Sequence, residues 1–319
     1  MDAIGESGKK LKSIQDQSFF KRIPNDWRRN KGVYLLAMLP MLYYIIFRYT
    51  PMFGLVIAFK RFTPGGGIWG SPWAGLANFK MFFGSYYFWR LVSNTFLLSF
   101  YNLIWGFPIP IIFALLLNEL KSSRFKKAVQ TITYMPHFIS MVVICGIVLN
   151  FVSQNGLITS LLSYLGMPAN NLLLDARNFR TVYIASGIWQ EMGWSSIIYI
   201  AAISGLDQEI YDAATVDGAG RWRKILHVTL PGILPTIVIL LILRIGAMMN
   251  IGFEKIILLY NPSIYDSADV ISSFVYRKGI IQADYSYSTT VGLFNSVINL
   301  FLLICANMLS RKVNDTSLW

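Results

Sequence analysis

The sequence predicts an all-α, polytopic membrane protein. Three observations carry this: 55% of its 319 residues are hydrophobic, only 14% are charged, and the mean hydropathy is +0.49. A chain this apolar has too little polar surface to dissolve, and long unalternating apolar runs can satisfy their own backbone in lipid only as helices. Six runs reach or approach the ~20 residues needed to cross ~30 Å of hydrocarbon. They lie near 33–56, 93–118, 129–152, 181–205, 232–253 and 290–310.

Ahead of the first run, residues 1–32 carry Lys9, Lys10, Lys12, Lys21, Arg22, Arg28, Arg29 and Lys31. This start is too polar, and its apolar sequence too late, for a cleavable secretory signal. Leu11, Ile14, Phe19, Phe20 and Ile23 allow a short helix on the inner membrane surface, and a plain solvated tail is the other reading. The remaining 33–319 form one transmembrane domain. Arg48 leaves two ends open for the first crossing, one near Arg48 with its charge at the interface and one near residue 56. Pro108 and Pro110 predict a bend in the second.

An even number of crossings puts both termini on one side, and the basic residues choose it. The tail, Lys121/Arg124/Lys126/Lys127, Arg221/Arg223/Lys224 and Arg311/Lys312 hold seventeen cations against ten in the longer opposite loops, so both ends are expected in the cytoplasm. In the outer loops, Gly65-Gly66-Gly67, Ser71-Pro72-Trp73 and Asn170-Asn171 mix turn residues with aromatics and predict docking surfaces or short interfacial helices.

Little raw material exists for chemistry. Cys145 and Cys305 lie in apolar runs and read as small buried hydrophobes, and His137 and His227 have no metal-ligand spacing. His137, directly after Pro136, reads as a helix-end residue. No Gly-Lys-Ser/Thr follows the glycine triplet, and Gly218-Ala219-Gly220 lacks the strand of a dinucleotide fingerprint. No cofactor, metal, nucleic acid or catalytic residue is therefore assigned to this chain, and the absence of an internal repeat weakens an inverted-repeat transporter.

The informative segment is the polar stretch 207–231, DQEIYDAATVDGAGRWRKILHVTLP, between the fourth and fifth crossings. Ile210, Ala213, Ala214 and Val216 predict one amphipathic helix, Gly218 a turn, and Trp222, Ile225 and Leu226 a second apolar face ending at Pro231. The order Asp212-Ala213-Ala214, three residues, Gly218, nine residues, Val228-x-Leu230-Pro231 resembles the EAA motif of binding-protein-dependent ABC importer permeases. Asp212 stands for the usual Glu and Val228 for the usual Ile. Asn94-Thr95, Phe107-Pro108 and Tyr134-Met135-Pro136 extend the likeness. Ser71 to Phe79, Phe253-Glu254-Lys255-Ile256 and Val291 to Asn295 are similar to the LplB-type subgroup, which imports complex oligosaccharides.

The resemblance implies a type I importer fold, a second permease in a heterodimer, two ATP-binding subunits that hold ATP and Mg, and an extracytoplasmic solute-binding protein, all at the bacterial cytoplasmic membrane. It implies that Tyr211, Asp212, Ala213, Ala214, Asp217, Gly218 and Trp222 make up the ATPase-coupling element, with Trp222 and Ile225 holding it to the membrane domain. Substrate contacts are expected on the crossings around this loop: Gln190, Glu191 and Trp194 on the fourth, Arg244 and Asn250 on the fifth, Asn295 and Asn299 on the sixth. Glu191 and Arg244 could instead pair as a bridge between helices, and the last two asparagines could be interhelical glue. A cationic Arg244 would suit an acidic oligosaccharide. Outside this family, an ion-coupled secondary transporter is the alternative, though only Glu191 would lie deep enough to couple an ion; a non-sugar ABC permease is the alternative within it.

Overall fold

The computed structural model describes Trp27, residues 30–166 and residues 170–314. The surface helix expected from Leu11, Ile14, Phe19, Phe20 and Ile23, and all of the basic tail but Lys31, lie outside the described residues. The chain divides into two units between Val56 and Ile57. In the first, α1 (Lys31–Tyr44) passes into a π-turn, Ile45–Tyr49, and the chain continues as a 3-10 stretch, Thr50–Phe59. Helical conformation thus runs from Lys31 through Arg48 to Phe59, 29 residues in all, rather than stopping at Arg48. Pro51 cannot donate to a regular ladder, and the Thr50 hydroxyl donates to the Ile45 carbonyl at 2.9 Å instead.

In the second unit, α2 (Tyr87–Tyr101), a π-turn at Asn102–Gly106 and α3 (Pro108–Asn118) make one 32-residue run. Pro108 sits at the start of α3, where its missing N–H costs nothing, so the irregularity expected at the prolines falls in the π-turn ahead of them. The crossing expected at 129–152 is not one helix. α4 (Ser123–Tyr134), capped by the Ser122 hydroxyl, gives way to a 3-10 turn at Met135–Phe138 and to extended backbone at Ile139 and Ser140. The apolar run shifts to Met141–Tyr164, built from α5 (Met141–Val152) and α6 (Leu157–Tyr164).

The 29-residue α7 (Ala176–Ser204) starts where the Asp175 carboxylate accepts from the Arg177 N–H at 2.9 Å. After α8 (Gln208–Val216), the helical segment Arg221–Gly232 meets α9 (Leu234–Gly246) at a 60° bend. The fifth crossing therefore ends at Gly246, short of the expected 253. Two short outer helices, α10 (Phe253–Leu259) and α11 (Ile271–Tyr276), precede the 30-residue α12 (Tyr285–Asn314).

By length and apolarity, four described helices could cross a membrane, or five counting the bent pair. The remaining predicted crossing, the fourth at 181–205, corresponds to α7, which is long enough but is not among those that pass on apolarity. Two of its buried serines are satisfied within the helix itself. The Ser186 hydroxyl donates to the Val182 carbonyl and the Ser196 hydroxyl to the Gly193 carbonyl, each at 2.6 Å. Around α7 the core gathers Phe179 and Val182 with Cys145 and Val148 of α5 and Ile256 of α10. On another side, Tyr199 and Ile203 meet Ile111 and Ala114 of α3. Where α7 passes α4, a Cβ at Gly193 would lie 2.2 Å from the Thr133 carbonyl oxygen, so only glycine permits this crossing. Cys145 is buried as expected, whereas Cys305 is exposed.

The outer segments are ordered by polar contacts rather than by strands. Short helices form at Gly67–Gly70 and Ala77–Phe83, in keeping with the interfacial helices expected there. The buried Asn78 amide donates to the Ala58 and Lys60 carbonyls at 2.8 and 3.1 Å. Between α10 and α12, fully buried Asp269 takes a bidentate pair from Arg277 at 2.9 and 2.6 Å, a hydroxyl bond from Ser273 at 2.8 Å, and a longer contact with Arg90 at 3.5 Å. Asn94 on α2 donates to the Asp266 and Asp269 carbonyls and accepts from Arg180 on α7. Burial by itself would lower the pKa of the Arg277 guanidinium; its bonds to Asp269 and Tyr260 more than offset this and hold it above its ordinary value.

Candidate functional site

Two places in the fold bring the predicted residues together. The first is the elbow after α7. Asp207 caps α8 by accepting from the Glu209 N–H at 2.9 Å, and α8 closes with Ala219 N–H bonded to the Ala214 carbonyl at 2.9 Å. This closure needs a left-handed residue, and Gly218 supplies it at φ +72°, where a side chain would be strained. The chain then turns into Arg221–Lys224 and a π-turn, Ile225–Thr229.

A polar clip fixes the two arms. The Tyr211 and Thr229 hydroxyls are 2.8 Å apart, and the Lys224 ammonium donates to the Thr215 hydroxyl at 2.6 Å. Ile225 and Thr229 are buried against the rest of the unit, while Asp212, Ala213, Asp217 and Gly218 are exposed and Ala214 is half-buried. Trp222 was expected to hold the element down, but it is 69% exposed; Ile225 alone of that pair packs inward. Val216, counted with the apolar face of α8, is 89% exposed. The elbow thus presents a small-residue face and an indole outward while being tied at its base.

The second place is a cavity of about 600 Å³ along α7, reached by α3, α9 and α10. Gln190, Glu191, Trp194 and Arg244 all line it. A smaller lobe of about 160 Å³ adjoins it and includes Arg244, Met248, Asn250 and Ile251; Asn102, Tyr183 and Arg244 line both. Arg244 stands in the last turn of α9, and the non-helical turn after Gly246 carries Met248, Asn250 and Ile251 to the same wall.

Glu191 does not pair with Arg244. Its carboxylate lies 3.1 and 3.2 Å from His137 Nδ1, and the same imidazole stacks on the Trp194 indole with ring centroids 4.5 Å apart and planes 4° apart. His137 does stand in the helix-end turn, as expected, but it also positions two cavity residues from there. The neighbouring Trp189 does not line the cavity.

Asn295 and Asn299 are brought together as glue. Their amides donate to Asn250 Oδ1 at 3.1 and 2.9 Å, and Asn299 Oδ1 accepts from the Met249 N–H at 2.9 Å, tying α12 to the turn after α9. Only Asn250 of the three borders the cavity system.

Sequence reasoning missed Lys255, Tyr183 and Asn102 as lining residues. For Lys255 a weak signal existed: it follows Glu254 and directly precedes the apolar run Ile256 to Leu259, where a cation is unusual. Its ammonium donates to the Tyr183 carbonyl at 3.0 Å and sits 4.7 Å from the Tyr183 ring.

Comparison with known proteins places the chain among transport-system membrane components. The family described as "Binding-protein-dependent transport system inner membrane component" matches residues 81–315. The chain is 43% identical to protein LplB of Bacillus subtilis (strain 168), over 92% of each chain. It is also 43% identical to the polygalacturonan/rhamnogalacturonan transport system permease protein YteP of the same organism, over 91% of each. Among solved structures it superposes with TM-score 0.84 on a chain of a bacterial ABC transporter involved in the import of the acidic polysaccharide alginate, at 42% identity, covering 92% of this chain and 99% of that one. A second structure of a bacterial alginate ABC transporter, in complex with an alginate pentasaccharide-bound periplasmic protein, matches at 41% identity with the same TM-score.

Proposed function

The chain belongs to the family of binding-protein-dependent transport system inner membrane components, and from that premise we propose how its parts share the work of carrying a sugar inward. It is a permease subunit of a carbohydrate importer, a transport subunit and not an enzyme, embedded as a multi-pass protein in the cytoplasmic membrane. It works with a solute-binding protein on the outer face, a reading supported by the complex of its structural relative with a periplasmic protein.

The finer assignments are these. Both termini lie in the cytoplasm, and six crossings are made, with α7 counted as one because its polar side faces the cavity. A second permease faces this one across the passage, and two ATP-binding subunits beneath bind ATP and Mg and hydrolyse the nucleotide. The cargo is a complex oligosaccharide, foremost a fragment of an acidic polysaccharide. The names of the similar proteins, which refer to polygalacturonan and alginate, support that choice.

The elbow is the coupling element. The observation that carries this is its geometry: the motif residues Asp212, Ala213 and Gly218 stand exposed on a turn of φ +72° whose base is clipped by Tyr211 to Thr229 and buried through Ile225. A short arm rigid at its root and open at its tip passes motion rather than absorbing it, so closure of the ATPase pair tilts α7 and α9 together. Gly218→Trp tests this in reconstituted vesicles containing the full complex. ATP hydrolysis should persist while uptake falls at least tenfold; uptake equal to the parent's would remove the elbow from the coupling role.

A further inference from the structure

We propose that Lys255 is the specificity-determining cation of the passage, the group that recognises the carboxylate of an acidic sugar, with Arg244 as a second cation on the same wall. The proposal rests on the import reading above and adds to it the residue that reads charge.

Four observations carry it. Lys255 is only 6% exposed, yet it lines the large cavity. Of the three donors of its ammonium, one goes to the Tyr183 carbonyl, and no carboxylate lies within ion-pair distance among the described residues. Glu191, the carboxylate that shares this cavity, is engaged by His137 instead. Arg244, which borders both lobes, likewise has no hydrogen-bond or ion-pair partner among the described residues.

Two of the other enclosed cations do have a carboxylate, while buried Lys60, which lines neither lobe of the cavity, is held by the Ile68 and Trp69 carbonyls at 2.8 and 3.2 Å. Arg277 and Arg90 meet Asp269, and Arg180 meets Asn94. An ammonium taken out of water without a counter-charge is costly, and a sequence that kept it for packing alone would do better with an apolar chain of the same length. Space is also reserved for it: Gly187 of α7 faces the ammonium, and a Cβ there would come within 3.2 Å of Nζ. A carboxylate entering the cavity supplies the missing charge and accepts the unused donors. A neutral sugar would leave both cations unpaired. The passage therefore discriminates by charge independently of the external receptor.

The test uses the assembled complex in lipid nanodiscs without its solute-binding protein, so that the receptor's selectivity does not enter. Binding of trigalacturonate is compared with that of the same trisaccharide after reduction of its carboxyls to alcohols. The parent complex should bind the acidic form at least tenfold more tightly. Lys255→Met, which keeps length and removes the charge, should cut that ratio about tenfold, and Lys255→Arg should keep most of it. A parent complex with no preference, or an unchanged ratio in Lys255→Met, overturns the proposal; the parent measurement decides even if a variant fails to assemble. If trigalacturonate is bound with charge preference but ATP-driven uptake with receptor is absent, the import reading fails and the charge reading stands.

Discussion

Asp269 shows how one side chain can organise an outer segment. It is wholly buried and bonded to Arg277 and Ser273, and it stands close to Arg90, so the loop between α10 and α12 is held to the first turns of α2. Removing one member of such a group strands the others, at a cost of about 3–5 kcal/mol. Asp269→Ala should therefore lower the thermal unfolding midpoint of the purified complex markedly, and Asp269→Leu combined with Arg277→Met should recover much of the loss. A double variant as unstable as the single one would show that shape, not charge pairing, sets the loop. His137 is a second case, since it holds Glu191 and stacks on Trp194 at once. His137→Ala should reduce sugar uptake several-fold with the elbow unaffected, so uptake and ATP hydrolysis fall together; uptake at the parent level would exclude a positioning role. Neither pairing could be read beforehand, because the partners lie 54 residues apart in one case and, for Arg90 and Asp269, on elements that meet only in the folded chain.

At the scale of elements, crossings are set by small residues and irregular turns as much as by apolar length. Gly193 lets α7 approach the Thr133 carbonyl of α4, and Gly193→Ala should cost about 1–3 kcal/mol through overpacking. Differential scanning of the complex would show it, and an unshifted midpoint would mean that the two helices separate freely. In the elbow, Tyr211→Phe removes one hydrogen bond worth about 1 kcal/mol and should lower the sugar moved per ATP hydrolysed. An unchanged ratio would take the clip out of the lever. Helix ends were the least legible feature. The 129–152 crossing fails after the 3-10 turn Met135–Phe138, where Ile139 and Ser140 are extended, and the fifth ends at Gly246 because the next turn is fastened to α12 by Asn250, Asn295 and Asn299.

For the whole molecule, the decisive feature is a polar helix, α7, kept at the centre by apolar neighbours and opening its polar side to a cavity. If the elbow meets a separate ATPase, then cysteines placed at Asp212 or Ala213, with Cys145 and Cys305 replaced, should cross-link to that subunit in the intact complex. Failure to join across every tested pair on the ATPase surface would argue against the contact. The sequence by itself determined the class, the approximate places of most long helices and the elbow, because these depend on local quantities: apolar length and a short motif with its glycine at a fixed place. Only the tertiary structure decided which polar groups share a wall, that Glu191 belongs to His137 and leaves Arg244 and Lys255 unpaired, and that Trp222 faces outward. Those outcomes depend on which helix faces oppose one another, and side chains distant along the chain meet only after packing has chosen those faces.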